Sequence, residues 1–243
     1  MQAADLPLHQ RRRRPTEAEL AGIPWLQLLQ PAEYERAASH ITVGDAKPGD
    51  FVCRVGRPVT YWFGVIEGLL KMSTDSAQGR TLTFTGVPPG GWFGEGTALK
   101  RESYRYNIQP LRNSVVAGLP VDTFHWLLDH SIGFNRFVMN QLNERLAQFI
   151  AAREIDRLNS PDVRVARSLA ALFNPVLYPG VGEVLRITQQ ELAYLVGLSR
   201  QRVNEALAEL QAQDAIRVEY GGLRILDLEA LRSSGAAPVE VAA

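Results

Sequence analysis

From Ser199 to Glu205 the chain reads Ser-Arg-Gln-Arg-Val-Asn-Glu, residue types that hydrogen-bond to base edges and phosphates. Arginine pairs bidentately with guanine and glutamine with adenine, so Arg200, Gln201, Arg202, Asn204 and Glu205 are candidate DNA contacts if one exposed face carries them. Ser199 is a suitable N-cap for the helix that would carry them. Upstream, Thr188-Gln189-Gln190-Glu191 fits a capping box, which starts an earlier helix and adds Thr188 and Gln189 to the candidate contacts. No catalytic or metal-binding constellation competes with this reading: there is no Walker loop, Gly-x-Ser-x-Gly elbow, His-Glu-x-x-His or paired-cysteine site.

Two short helices crossing at a tight turn must hold those residues. Leu192, Val196, Leu198, Val203 and Ala206 supply the apolar positions, Ala193 permits close approach, and Gly197 can take the positive φ of the turn. Ile216 to Tyr220 and Leu223 to Leu226 then flank Gly221-Gly222, a hairpin signal that predicts a wing. The bland alternative is an αα-hairpin used only for packing. Cap, small residues, apolar positions and hairpin together favour DNA reading, although charges between Ser199 and Arg224 nearly cancel.

Earlier in the chain, from Gly44 to Leu119, short β-rich runs alternate with turns. The runs include Phe51 to Val55, Tyr61 to Ile66, Leu69 to Met72, Thr81 to Phe84 and Val115 to Leu119, and they predict a compact roll or barrel. Ser131 to Asn159 contains no proline and predicts a long helix. Met139, Leu142, Leu146 and Phe149 recur on one stripe of it, suited either to a partner helix or to the chain's own roll. Pro161 ends that helix, making Asn159-Ser160-Pro161 the hinge of any switch. Residues 162–173 read as helical and 174–182 as a loop.

The 243 residues suffice for two domains, and 46% hydrophobic with 21% charged residues is ordinary for a globular protein. Lys+Arg and Asp+Glu balance at 26 each, so DNA affinity must come from local placement. The single cysteine, Cys53, excludes an internal disulfide, a zinc ribbon and a four-thiolate cluster, and a reducing, cytoplasmic setting fits. No membrane-length apolar run and no signal-peptide core are evident. Arg11 to Arg14 read as part of a solvated tail with no assigned role.

With both halves placed, the chain resembles the cyclic-AMP receptor protein and FNR (Crp/Fnr) family of bacterial regulators across residues 23–231. The matching segments are Pro48-Gly49-Asp50 with Gly56 and Gly68, Gly91-Trp92-Phe93-Gly94-Glu95, and Ile187 to Leu192 running to Leu198 to Val203. The resemblance implies an α+β chain: a disordered basic tail (1–22), a cyclic-nucleotide-binding-like β-roll (23–130), a central dimerisation helix (131–160), a winged helix-turn-helix (161–232) and a disordered tail (233–243). It implies a homodimer on a near-palindromic double-stranded DNA site, with RNA polymerase as a further partner and no enzymatic activity.

In cyclic-AMP-binding members a glutamate after Phe-x-Gly holds the ribose and an Arg-Ser pair clamps the phosphate. Here Phe93, Gly94, Glu95 and Arg105 match, but the serine position is Tyr106, and the Thr-Ser that meets the base appears as Phe149-Ile150. Cyclic AMP, another small effector, or none remain open as ligands. An iron-sulfur cluster is disfavoured because the N-terminal cysteines of that branch are absent. Haem is disfavoured because His9, His40, His125, His130 and Cys53 lack ligand spacing. A ligand-binding module that regulates a protein, and a DNA-binding protein with no switch, are the remaining alternatives.

Overall fold

The computed structural model describes residues 11–76, 78, 81–155 and 160–235. The chain divides into two units, 1–147 with 174–181 and 148–173 with 182–243.

In the first unit, β1 (Arg12–Arg13), α1 (Glu17–Ala21), α2 (Pro31–His40) and β2 (Thr42–Ala46) precede the roll. The roll follows as β3 (Tyr61–Glu67), β4 (Leu70–Asp75), β5 (Thr81–Val87), β6 (Trp92–Phe93), α3 (Glu95–Lys100), β7 (Asn107–Pro110) and β8 (Ser114–Pro120). Two antiparallel sheets result, ordered β1-β2-β8-β3-β6 and β5-β4-β7. Residues of the first sheet and of the helices flanking the roll build an aromatic core in which Trp25, Trp62, Trp92, Phe124 and Phe134 are essentially unexposed. Their rings meet tilted or edge-to-face, with Trp62 and Trp92 centroids 4.4 Å apart. The Trp92 ring lies across its strand partner Gly64, where any Cβ would enter the indole, so β3 needs glycine at that point.

α4 (Val121–His130) and α5 (Ile132–Ile155) follow. On α5, Phe134 and Val138 enter the aromatic core, and Gln141 and Arg145 are buried on the same face. This inward face was not read from the sequence. The expected stripe divides: Leu142 packs partly against the unit's own core, whereas Met139, Leu146 and Phe149 are exposed.

The second unit contains α6 (Pro161–Leu172), β9 (Val184–Leu185), α7 (Gln189–Val196), α8 (Arg200–Ala212), β10 (Ile216–Glu219), β11 (Gly222–Ile225) and α9 (Leu228–Ser233). Val165, Ala166 and Leu169 of α6 are buried with Leu192 of α7 and Val203, Ala206 and Leu207 of α8. The hairpin β10-β11 takes β9 as a third strand.

Three expectations change. Residues 1–10 of the expected disordered basic tail lie outside the described residues, and 11–22 are ordered: Arg12 and Arg13 pair with Gly44 and Val43, Arg11 binds Asp50, and Thr16 and Glu19 cap α1. Backbone pairing to an open edge strand fixes a run that its charge alone would leave solvated. Residues 51–55 do not form a strand; only Cys53 bridges to Ile108, because the turn at Arg54 to Arg57 interrupts the ladder and Asn107 Oδ1 accepts the Val55 amide proton at 3.0 Å. Finally, α9 extends through Ser233, and the Ser234 carbonyl accepts from Arg167 at 2.9 Å. Asn159 of the expected hinge and residues 236–243 lie outside the described residues.

Candidate nucleic-acid interface and effector site

Both helix starts form as local chemistry dictates. Thr188 Oγ1 accepts from the Glu191 amide at 3.1 Å while Glu191 Oε2 accepts from the Thr188 amide at 2.7 Å, a complete capping box. α7 ends at Gly197 with φ of 67°, a left-handed conformation that glycine adopts without Cβ strain. Ser199 then accepts from the Arg202 amide at 3.2 Å and starts α8.

Burial of Val203, Ala206, Leu207 and Leu210 fixes the rotation of α8. Arg200, Gln201, Asn204 and Glu205 consequently face outward. Arg202 does not present a free fork. Its guanidinium binds Asp162 at 2.7 Å and Glu205 at 2.9 Å, so it ties α8 to α6, and the Glu205 hydrogen bond foremost holds its pKa above the ordinary value. A groove of about 400 Å³ runs between the start of α7, α8 and the wing, lined by Thr188, Gln189, Arg200, Val218 and Gly221 among others. The wing tip, Tyr220-Gly221, carries a fully exposed ring. β9 is the part of the wing that went unread, since two residues give no periodicity.

In the roll, Gly94 has φ of 86° and turns the chain into α3 so that Glu95 points inward. Glu95 is 1% exposed, and its Oε1 accepts from Arg145 Nε at 2.6 Å. Arg145 Nη2 donates to the Trp92 carbonyl at 2.8 Å. Burial acts to lower the Arg145 pKa, but Glu95 foremost, together with Tyr178 and Tyr106, raises it above the ordinary value. Glu95 Oε2 and Arg145 Nη1 are buried without a hydrogen-bond partner among the described residues.

Arg105 does not join Glu95. Its side chain is 77% exposed and binds Glu102 at 3.0 Å. Tyr106 occupies the inner position instead, its pKa raised chiefly by burial. The carboxylate half of the expected pocket is thus present and the phosphate-clamp half is not assembled. Phe93 is buried beneath it, while Phe149 and Ile150 lie exposed on α5. Sequence reasoning missed Arg145; the available signal was an arginine in step with Phe134, Val138 and Gln141 on the inward face of α5.

Two family models match. A cyclic nucleotide-binding domain covers residues 44–131, and a Crp-like helix-turn-helix domain covers residues 163–234. The transcriptional regulator SdrP of Thermus thermophilus is 31% identical over 192 residues, 76% of this chain and 90% of that protein. The CRP-like cAMP-activated global transcriptional regulator of Mycobacterium tuberculosis is 27% identical over 217 residues, 84% of this chain and 87% of that protein. Among solved structures, FixK2 from Bradyrhizobium japonicum aligns over 81% of this chain and 98% of its own with a TM-score of 0.61 at 16% identity, a likeness of fold.

Proposed function

This chain belongs to the Crp/Fnr family of transcription regulators, with a cyclic nucleotide-binding-type sensor domain and a DNA-binding helix-turn-helix, and from that premise we propose that it binds a near-palindromic operator as a homodimer. The observation that carries the reading is the outward face of α8, where Arg200, Gln201, Asn204 and Glu205 stand on a helix whose rotation is locked by its buried residues. Contact with RNA polymerase, a cytoplasmic location and the absence of catalysis belong to the same proposal and rest on the family.

The test is selection of the preferred duplex from a randomised pool, followed by titration of the parent and Arg200→Ala. Loss of a bidentate base contact is expected to cost about 1–3 kcal/mol of discrimination at one base pair in each half-site. An unchanged preference would remove Arg200 from the groove.

For the sensor we propose a small effector that donates a hydroxyl to Glu95, whose Oε2 is a buried acceptor without a partner among the described residues. Cyclic AMP is expected to bind weakly. Its phosphate would find Arg105 turned to solvent and Tyr106 in place of serine, and each missing contact to a charged group weakens binding by roughly 1.5–3 kcal/mol. Calorimetric titration should show no saturation in the micromolar range. Micromolar affinity that Arg105→Ala abolishes would instead mean that Arg105 swings inward and clamps the phosphate.

A further inference from the structure

We propose a second ligand site on the β-roll, an arginine-lined cleft that takes a small aromatic carboxylate. The cleft has a volume of about 270 Å³ and is lined by Arg12, Arg54 and Arg57 together with Phe51, Pro58 and Tyr104 among others. Among the described residues no aspartate or glutamate lines it, and none of Phe93, Gly94, Glu95, Arg105 or Tyr106 does, so its residues are separate from those of the effector site above. The nearby carboxylate of Asp50 is already engaged by Arg11 and by the Lys47 amide.

The site is held in place by backbone pairing. The Arg57 amide donates to the Arg54 carbonyl at 3.1 Å, and Gly56 accommodates the turn with φ of 78°. That turn is tied to the neighbouring segment on both sides: Gly56 N–H to the Tyr104 carbonyl at 2.8 Å and Tyr104 N–H to the Arg57 carbonyl at 3.0 Å. Arg12 arrives from the N-terminal arginine run, placed by the β1-β2 pairing, and its guanidinium sits 3.9 Å from the centre of the Tyr61 ring. Ordering of Arg11 to Arg14 thereby acquires a consequence: it adds a cation to a wall that would otherwise hold two.

The chemistry selects the ligand. Guanidinium forks match a carboxylate bidentately, and arginine also stacks on flat rings. Phe51, Pro58 and Tyr104 offer apolar walls to a planar body, and the volume lies just below that of drug-sized pockets, which suits a single ring. A convex phosphodiester backbone would meet the cations but leave those walls unused.

The test is calorimetric titration of the full chain with benzoate, inorganic phosphate and cyclohexanecarboxylate. Benzoate is expected to saturate with Kd of roughly 0.1–1 mM, at least about tenfold tighter than the other two. Arg12→Ala and Arg57→Ala should each weaken benzoate at least about tenfold, whereas Arg105→Ala should leave it unchanged. Arg57 is exposed, so its variant keeps the fold, and circular dichroism verifies this for both. Absence of benzoate saturation, equal binding of phosphate, or affinity indifferent to both arginine variants would each overturn the assignment. Loss of DNA affinity in Arg57→Ala without loss of benzoate binding would also overturn it and give the arginines to the DNA backbone.

Discussion

Glu95→Gln is expected to lower the stability of the β-roll unit by about 3–5 kcal/mol, the scale seen when one member of a buried ion pair is removed and the other stays charged. Glutamine keeps the side-chain volume, so the loss reports electrostatics and not a cavity. Arg145 retains its positive charge, and only neutral acceptors, the glutamine amide oxygen and the Trp92 carbonyl, are left to it among the described residues. Arg145→Met should be comparably damaging, because it leaves a carboxylate that is 1% exposed with no cation. The double variant Glu95→Leu/Arg145→Met should recover most of the loss, since a buried pair replaced by apolar residues of similar size is often neutral. Urea denaturation followed by tryptophan fluorescence measures this cleanly: all four tryptophans, Trp25, Trp62, Trp92 and Trp126, belong to this unit. Single-variant losses below about 1 kcal/mol would mean that water reaches the pair.

Such a cost raises the question of why the pair exists. A well-packed apolar pair would hold α5 to the roll at least as firmly, so stability alone does not account for two buried charges with unpartnered atoms. A polar effector that completes the hydrogen bonds of Glu95 Oε2 and Arg145 Nη1 would draw on that deficit. Binding would then favour whichever arrangement of α5 keeps both groups in place.

What could be read from the sequence divides along the range of the interaction. The capping box at Thr188, the cap at Ser199 and the turn at Gly197 each depend on residues within about four positions and form as written, whereas the hairpin turns one residue earlier than Gly221-Gly222, at Tyr220-Gly221, because Gly222 pairs with Glu219. The strands 61–67 and 114–120 were legible because alternation and turns delimit them. The failures are non-local. Arg12 pairs with Gly44 across 32 positions, and nothing in a run of arginines specifies an edge strand. Arg145 meets Glu95 across 50 positions, and the family resemblance, which puts Glu95 on a ribose and Arg105 on a phosphate, gives no sign of that partner. Arg202 reads as a base contact by its type, and its ion pair with Asp162, 40 positions earlier, is a contact that local pattern does not show. Arginine recurs in all three cases: its long side chain reaches any acceptor within range, and local pattern does not say which.

With the proposed homodimer paired through α5, Leu146→Glu is expected to yield a monomer and to lower operator affinity by about 10²–10⁴-fold. Met139, Leu146 and Ile150 are 60%, 60% and 59% exposed, and their spacing of seven and four places them along one side of α5. Complete burial of such a side chain yields roughly 1.5–3 kcal/mol. Six of them from two copies therefore reach the scale of the association cost, roughly 4–15 kcal/mol. A charge at Leu146 would face its own copy across a two-fold axis, adding repulsion to the lost contact. Because the residue is exposed in the single chain, folding should be preserved, with a stability change within about 0.5 kcal/mol. Sedimentation equilibrium reads the oligomeric state, and fluorescence anisotropy compares the full operator with a single half-site. The half-site affinity should stay as it was, since α8 is untouched, while the full operator loses the advantage of a second linked reading head. A variant that remains dimeric and binds the operator like the parent would place the self-association surface elsewhere than on this stripe.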